Sequence, residues 1–236
     1  MLDMKKNRFL LAFMLLILSS SQALAQKPSA GVPSSPDTTR HYLFYLHGMI
    51  IELQGIRPTS PRFGVYEYEK ILQTFADSGF VVISEARKKG TQVRPYAQKV
   101  AAQIDSLLKA GVPARNITVL GASKGAGIAV MVSHLLRNED IAFVLLAICN
   151  ERMATFWKKN GVQLWGRVLY FHDTSDGIAG SCSGYLKDLR SPGLKQFREI
   201  ELSLGLGHGF LYRPLPAWVR PSVAWARGEN PSPETR

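Results

Sequence analysis

Near the middle of the chain, residues Gly121-Ala122-Ser123-Lys124-Gly125 have the pattern G-x-S-x-G. The apolar run before it predicts a strand, and the apolar spacing after it predicts a helix. Small residues around a serine allow a sharp strand-to-helix turn that exposes the hydroxyl, with strained backbone at the serine. The free N–H groups at the start of the next helix point to the same place. The motif therefore predicts Ser123 as an exposed nucleophile at the carboxyl end of a strand.

Strand and helix patterns alternate along the rest of the chain. The predicted strands are 41–46, 80–84, 117–120, 141–148, 168–171 and 197–202, and the predicted helices are 67–78, 96–110, 125–137 and 183–189. This alternation predicts an α/β fold, with a mostly parallel sheet of about six strands and helices on both faces. Ligands of such sheets bind beyond the carboxyl ends of the strands.

Candidate partners for Ser123 follow two later strands. His208 lies between two glycines in a loop that can bend freely, which suits a general base. Asp176 lies well into the loop after the predicted strand 168–171, where the chain can turn back toward Ser123. It therefore suits the carboxylate that orients a catalytic histidine. Asp173 abuts that strand and is better placed to cap the turn. Asp173 and Glu151 remain the alternatives for the acid.

The residues His47-Gly48-Met49 follow the first predicted strand. In a serine hydrolase such a loop supplies one backbone N–H that holds the negative oxygen of the tetrahedral intermediate. Met49 is the expected donor, with Ile50 as the alternative, and the N–H of Lys124 is the second donor. His47 is interpreted as a structural, hydrogen-bonding residue.

The long segment 49–64 is expected to overhang this site. Arg57 and Arg62 are the candidates in it for binding an anionic group of the substrate, and a solvated loop is the alternative. The basic run 87–89 is interpreted as a solvated loop, with a phosphate or substrate contact as the alternative.

The order Ser123, Asp176, His208, together with the His-Gly loop, resembles the α/β-hydrolase superfamily over about residues 41–212. The resemblance implies an enzyme that cleaves a small-molecule carboxylic ester or thioester through an acyl-serine intermediate, with no metal or organic cofactor. It departs from the family at the front, where the first two antiparallel strands have no room. No long insertion follows residue 148, so no large cap is expected.

Two other functions fit parts of the pattern. The glycine-rich turn also resembles that of short-chain dehydrogenases, which bind a dinucleotide. However, two predicted strands precede the turn, and the Tyr-x-x-x-Lys spacing at Tyr66 and Lys70 lies upstream of it. The other alternative is a non-catalytic binding module, because a fold does not imply a function. The presence of all three triad residue types favours an enzyme.

The beginning of the chain has the pattern of a secretory signal peptide. Basic residues precede the apolar run 9–18, and Ala23-Leu24-Ala25 follows it, which predicts cleavage after Ala25. The run is too short to span a bilayer, which takes about 20 residues. We therefore expect export to a bacterial periplasm or the extracellular space, with no membrane segment in the mature chain.

Export changes the interpretation of the two cysteines, Cys149 and Cys182. In an oxidising compartment they are expected to form a disulfide. The alternative is two small buried hydrophobic residues. Their spacing fits no zinc site.

The composition bounds the remaining possibilities. The chain has 236 residues, 46% of them hydrophobic and 20% charged, which excludes a disordered or collagen-like chain. The expected organisation is a signal peptide at 1–25, a linker at 26–40, one domain at 41–225 and a flexible tail at 226–236. The net charge of +11 favours anionic partners, but the basic residues are scattered, so no nucleic-acid binding is expected. Nothing in the sequence indicates an oligomer.

Overall fold

The structure of the protein is a computed structural model that describes residues 27–231. The expected signal peptide and residues 232–236 of the expected tail lie outside the described residues. The strands are β1 (Tyr42–Leu46), β2 (Thr59–Ser60), β3 (Gly64–Val65), β4 (Val81–Ile83), β5 (Ile117–Ala122), β6 (Ala142–Leu146), β7 (Leu164–Asp173) and β8 (Arg190–Leu202). The α-helices are α1 (Met49–Gln54), α2 (Tyr68–Asp77), α3 (Val93–Lys109), α4 (Lys124–Leu136), α5 (Glu151–Lys159), α6 (Leu186–Leu189) and α7 (Pro216–Ala226).

Within residues 27–231, six of these strands form one parallel sheet in the order β4-β1-β5-β6-β7-β8. The short strands β2 and β3 form a separate antiparallel pair. The order places β5 in the interior of the sheet, so the residue after it lies near the middle of the carboxyl edge. The predicted α/β architecture is confirmed.

Each face of the sheet packs against its own layer of helices. In β1, Tyr42 and Phe44 face one core while Leu43 and Tyr45 face the other, as the alternation of a strand requires. The first core is closed by α3, α4 and α5, and the second by α2 and α7. This arrangement confirms helices on both faces.

Three helices were not expected from the sequence. Helix α1 occupies the start of the segment that was expected to be a loop, α5 follows β6, and α7 follows the last strand. In α5 only Trp157 is buried, although Met153, Phe156 and Trp157 follow helical spacing. Strand β8 is also longer than expected and runs through Pro192, which an edge strand tolerates.

The described residues agree with the expectation of an open site without a cap. Between β6 and β7 they contain only the nine-residue helix α5. In this part of the chain the sheet contains no antiparallel strand before β1. Ser29, in the expected linker, forms a parallel bridge to Ile83 at the β4 edge.

Cys149 and Cys182 form a disulfide with their Cα atoms 5.2 Å apart, which confirms the expected pairing. The bond joins the start of α5 to the segment that follows the β7 loop. No helix between residues 27 and 231 is long and apolar enough to cross a membrane.

Candidate active site

Ser123 occupies the turn between β5 and α4, at the carboxyl edge of the sheet. Its φ is 52° and its ψ is −117°, a conformation that residues with a side chain rarely adopt. The Ser123 N–H donates to the Leu146 carbonyl oxygen over 2.8 Å, which ties the turn to the neighbouring strand. Strain of this kind persists only where the surrounding structure imposes it. The expected sharp turn is therefore present.

Two glycines of the motif are required by the packing of α4 against the sheet. A Cβ at Gly125 would lie 1.8 Å from the Leu46 carbonyl oxygen, and one at Gly121 would lie 2.4 Å from the Gly125 oxygen. Both contacts are with backbone that cannot move aside. Internal packing thus accounts for these glycines without a dinucleotide phosphate, which weakens the dehydrogenase alternative.

His208 and Asp176 come together with Ser123 in one hydrogen-bonded chain. His208 Nε2 lies 2.9 Å from Ser123 Oγ, and His208 Nδ1 lies 2.7 Å from Asp176 Oδ2. The Asp176 side chain is fully buried, and its Oδ1 also accepts from the Ile178 N–H over 2.8 Å. The histidine sits on the 3-10 turn Gly207–Tyr212 and is 7% exposed.

Asp173 is near these three residues, but its carboxylate forms hydrogen bonds within the loops that follow β7 and β8. Its Oδ1 accepts from the Ser175 N–H over 2.9 Å and its Oδ2 from the Leu204 N–H over 2.9 Å. Burial acts to raise the pKa of Asp173, but these hydrogen bonds and that from the Ser175 hydroxyl outweigh it and lower the pKa. Ser175 Oγ in turn accepts from the Gly207 N–H over 2.9 Å, which joins the acid loop to the histidine loop. Glu151 is exposed at the start of α5, and the hydrogen-bond partners of His208 within residues 27–231 are Ser123 and Asp176.

The two expected oxyanion donors are the first residues of two helices. Met49 begins α1 and Lys124 begins α4, and the N–H of a first helical residue has no acceptor within its helix. A Cβ at Gly48 would lie 3.9 Å from Ser123 Cβ, so α1 starts directly beside the serine. Ile50 is the second residue of the same helix. The positive ends of both helices therefore lie near Ser123 Oγ.

His47 is a neutral residue that shapes this loop. Its Nε2 accepts from the Arg87 N–H over 2.9 Å, so the proton lies on Nδ1, which donates to the Gly48 carbonyl oxygen over 2.8 Å. Burial, and next the Arg87 charge, lower the pKa of His47 to about 3.

Behind the loop lies a buried ion cluster of Glu52, Arg87 and Lys124. Glu52 Oε1 binds Arg87 Nε over 2.8 Å, and Glu52 Oε2 binds Lys124 Nζ over 2.5 Å. The Arg87 side chain is fully buried, so the interpretation of run 87–89 as a solvated loop is wrong for this residue. The cluster fixes α1 to α4. No local sequence pattern predicts an ion pair between Glu52 and Arg87, which are 35 residues apart.

A cleft of about 470 Å³ opens beside Ser123, between the starts of α3 and α4 and the helix α5. Its wall is mostly apolar and includes Met131, Ile148, Met153 and Phe156. A volume of this size suits a small-molecule ligand.

Arg57 and Arg62 do not line this cleft. Arg57 Nε is paired with Glu69 Oε2 over 3.1 Å on the exposed surface, and the Arg62 guanidinium lies 5.1 Å from the centre of the Phe63 ring. Their positions do not support the interpretation of either as a substrate-binding residue. The exposed cation in the lining is Arg152 on α5, which the sequence reasoning missed because α5 was not expected.

Among residues 27–231 no group of three or more His, Cys, Asp or Glu side chains is arranged to hold a metal ion.

No family model and no curated protein matches the chain. Solved structures do match it. SOBER1 from Arabidopsis thaliana is 16% identical with a TM-score of 0.50, and the match covers 78% of this chain and 99% of that chain. Mouse α/β-hydrolase domain-containing protein 10 is 12% identical with a TM-score of 0.51, covering 78% and 86%. An arylesterase structure is 15% identical with a TM-score of 0.50, covering 80% and 75%.

The chain has the α/β-hydrolase fold. In this α/β-hydrolase fold, Ser123 stands at the turn after β5, Asp176 after β7 and His208 after β8. At these identities the likeness concerns the fold alone, so the roles of the residues rest on their geometry.

Proposed function

We propose that the protein is a serine hydrolase that cleaves a carboxylic ester or thioester. The observation that carries this proposal is the chain of hydrogen bonds from Ser123 Oγ through His208 to the buried Asp176. An aligned nucleophile, base and carboxylate recur on unrelated folds and are recognised by their geometry.

The reaction would proceed through an acyl-serine. Ser123 Oγ attacks the carbonyl carbon while His208 Nε2 takes the hydroxyl proton, and Asp176 stabilises the resulting imidazolium. As the tetrahedral intermediate collapses, the bond to the leaving oxygen or sulfur breaks and His208 gives its proton to the leaving group. Water, deprotonated by His208, then attacks the acyl carbon. The bond from that carbon to Ser123 Oγ breaks, His208 returns the proton to Ser123 Oγ, and the acid leaves.

The N–H groups of Met49 and Lys124 would stabilise the negative oxygen of both intermediates. Their support is the start of α1 and α4 beside the serine. Removing one such donor costs other hydrolases about 10²–10³ in kcat, which shows why the positions of α1 and α4 matter for the rate.

We also propose that the protein acts after export. The Cys149–Cys182 disulfide supports this, because disulfides persist in oxidising compartments. The mass of the protein recovered from a periplasmic fraction tests it, and loss of residues 1–25 is the expected result. A full-length, reduced chain in the cytoplasm would contradict it.

The experiment for the activity compares p-nitrophenyl butyrate with butyryl thioesters on the wild type, Ser123→Ala, Asp176→Asn and Asp173→Asn. We expect Ser123→Ala to lose about 10⁶ in kcat and Asp176→Asn to lose about 10⁴. Asp173→Asn controls for the loop, and we expect it to lose stability while its kcat falls far less. Equal losses in the two Asn variants would refute the assignment of the acid, and hydrolysis by Ser123→Ala at a rate near that of the wild type would refute the mechanism.

A further inference from the structure

The cleft beside Ser123 has an apolar wall but carries an excess of positive charge. Its lining residues include Lys124 and Arg152, and no aspartate or glutamate among the described residues lines it. An apolar cleft with one convergent charged group is typical of a small-molecule site.

The two cations, Lys124 and Arg152, differ in whether other protein groups already bind them. Lys124 Nζ is held by Glu52 Oε2 over 2.5 Å and by the Thr91 carbonyl oxygen over 2.7 Å. Arg152 is exposed and has no ion pair or hydrogen bond with any residue in the described range 27–231. The donors of Arg152 are therefore available to a ligand in the cleft.

The position of Arg152 is not explained by the stability of its helix. It is the second residue of α5, where a cation opposes the helix dipole. The start of α5 is nevertheless firmly held. Asn150 Oδ1 accepts from the Met153 N–H over 3.0 Å, Asn150 Nδ2 donates to the Ile178 carbonyl oxygen over 3.1 Å, and Cys149 is in the disulfide. A cation on so fixed a backbone is suited to recognition.

We propose that Arg152 binds a carboxylate at the far end of the substrate, whose apolar segment fills the cleft. The inference rests on the proposed function and names its substrate class, an ester or thioester that carries an anionic group beyond an apolar segment. A planar guanidinium can bind a carboxylate with two parallel hydrogen bonds, which favours this pairing. The carboxylate can belong to the acyl half or to the alcohol half of the ester.

The test compares substrates of matched length that differ in the terminal charge. The acyl arm uses p-nitrophenyl monoesters of adipic and suberic acid beside p-nitrophenyl hexanoate and octanoate. The alcohol arm uses 4-carboxyphenyl butyrate beside phenyl butyrate. The enzymes are the wild type, Arg152→Gln, Arg152→Lys and Lys159→Gln, and Ser123→Ala supplies the blank for spontaneous hydrolysis. Lys159 is an exposed cation on the same helix that does not line the cleft, so it controls for loss of charge.

We expect the wild type to prefer the carboxylate in one arm by roughly two- to fivefold in kcat/KM, chiefly through KM, as for an exposed charge pair. The preference should vanish in Arg152→Gln, survive in part in Arg152→Lys and remain in Lys159→Gln. It should also shrink at 1 M salt, where charges are screened within about 3 Å. A wild type without preference in either arm, or a preference that Arg152→Gln retains, would overturn the inference.

Failure of the proposed function gives a different result. In that case p-nitrophenyl hexanoate is hydrolysed no faster by the wild type than by Ser123→Ala. The inference is then decided by calorimetric binding of 6-phenylhexanoate to Ser123→Ala and to the double variant with Arg152→Gln. Binding that depends on Arg152 supports the inference, and absent or Arg152-independent binding overturns it.

Discussion

The substitution Glu52→Gln tests the account of how α1 is fixed to α4. Gln keeps the size and shape of the side chain but removes the charge that Arg87 and Lys124 share. The Glu52 and Arg87 side chains are 1% and 0% exposed, so water cannot replace the lost partner. Arg87 Nη1 already has no hydrogen-bond partner in the structure, so the guanidinium depends on Glu52 and on its remaining bond to the His47 carbonyl oxygen.

The magnitude follows from this burial. Removing one partner of a buried ion pair costs about 3–5 kcal/mol, because an uncompensated charge is left behind. Lys124 is 17% exposed and keeps its bond to Thr91, so it can turn toward water, and the lower end of the range applies. We therefore expect Glu52→Gln to lose about 3 kcal/mol of unfolding free energy. For a domain of this size the same loss lowers Tm by about 6–12 °C.

The assay is urea unfolding followed by tryptophan fluorescence under oxidising conditions. Glu69→Gln is the matched control, because it removes the same group from the surface pair with Arg57, whose side chains are 56% and 81% exposed. Such a pair contributes less than about 1 kcal/mol. If the two variants lose the same free energy within about 0.5 kcal/mol, the cluster does not stabilise the fold and the reasoning fails.

Three further predictions concern the turn, the disulfide and the histidine before the oxyanion loop. Gly125→Ala should lose at least about 3 kcal/mol of unfolding free energy in urea, because its Cβ meets strand backbone. Gly184→Ala has open space around the new Cβ and should change the unfolding free energy by less than about 0.5 kcal/mol. Equal losses in the two variants would contradict the packing argument. Serine at both Cys149 and Cys182 opens a crosslink with a sequence separation of 33 and should cost about 3–4 kcal/mol, and an unchanged urea midpoint would refute this. The folded pKa of His47, about 3, lies below its unfolded value near 6.5, so its contribution is complete above pH 6.5 and is lost as the pH falls toward 3. Between pH 6.5 and 4.5 the wild type should lose about 2 kcal/mol more than His47→Gln, and parallel pH profiles would exclude this linkage.

The parts of the fold that the sequence predicts are those with a strong local signal. The β5-turn-α4 unit combines an apolar strand, small residues and a helix start within about 20 residues. The pairing of Cys149 with Cys182 follows from the expected oxidising compartment. Neither prediction requires knowing which distant side chains come into contact, so both can be made before the fold is known.

The parts that escaped prediction depend on contacts between distant residues. Helix α1 is held by the ion pair of Glu52 with Arg87 rather than by an apolar stripe, and a charge in a basic run gives no sign that it is buried. Helix α5 carries apolar residues at helical spacing but was not expected, and which helix lines the cleft depends on packing against distant elements, so Arg152 was not placed there. Arg57 and Arg62 had the right charge in the expected loop, but Arg57 pairs with Glu69, Arg62 lies against Phe63, and neither lines the cleft.

Reaction with a fluorophosphonate probe shows whether Ser123 is an activated nucleophile. The probe is allowed to react with the folded protein, and intact-mass and peptide measurements then locate the adduct in the wild type, Ser123→Ala and His208→Gln. We expect one adduct on Ser123 of the wild type, none in Ser123→Ala, and much slower labelling in His208→Gln. Folded wild type that stays unlabelled, or an adduct that persists in Ser123→Ala, would contradict the account.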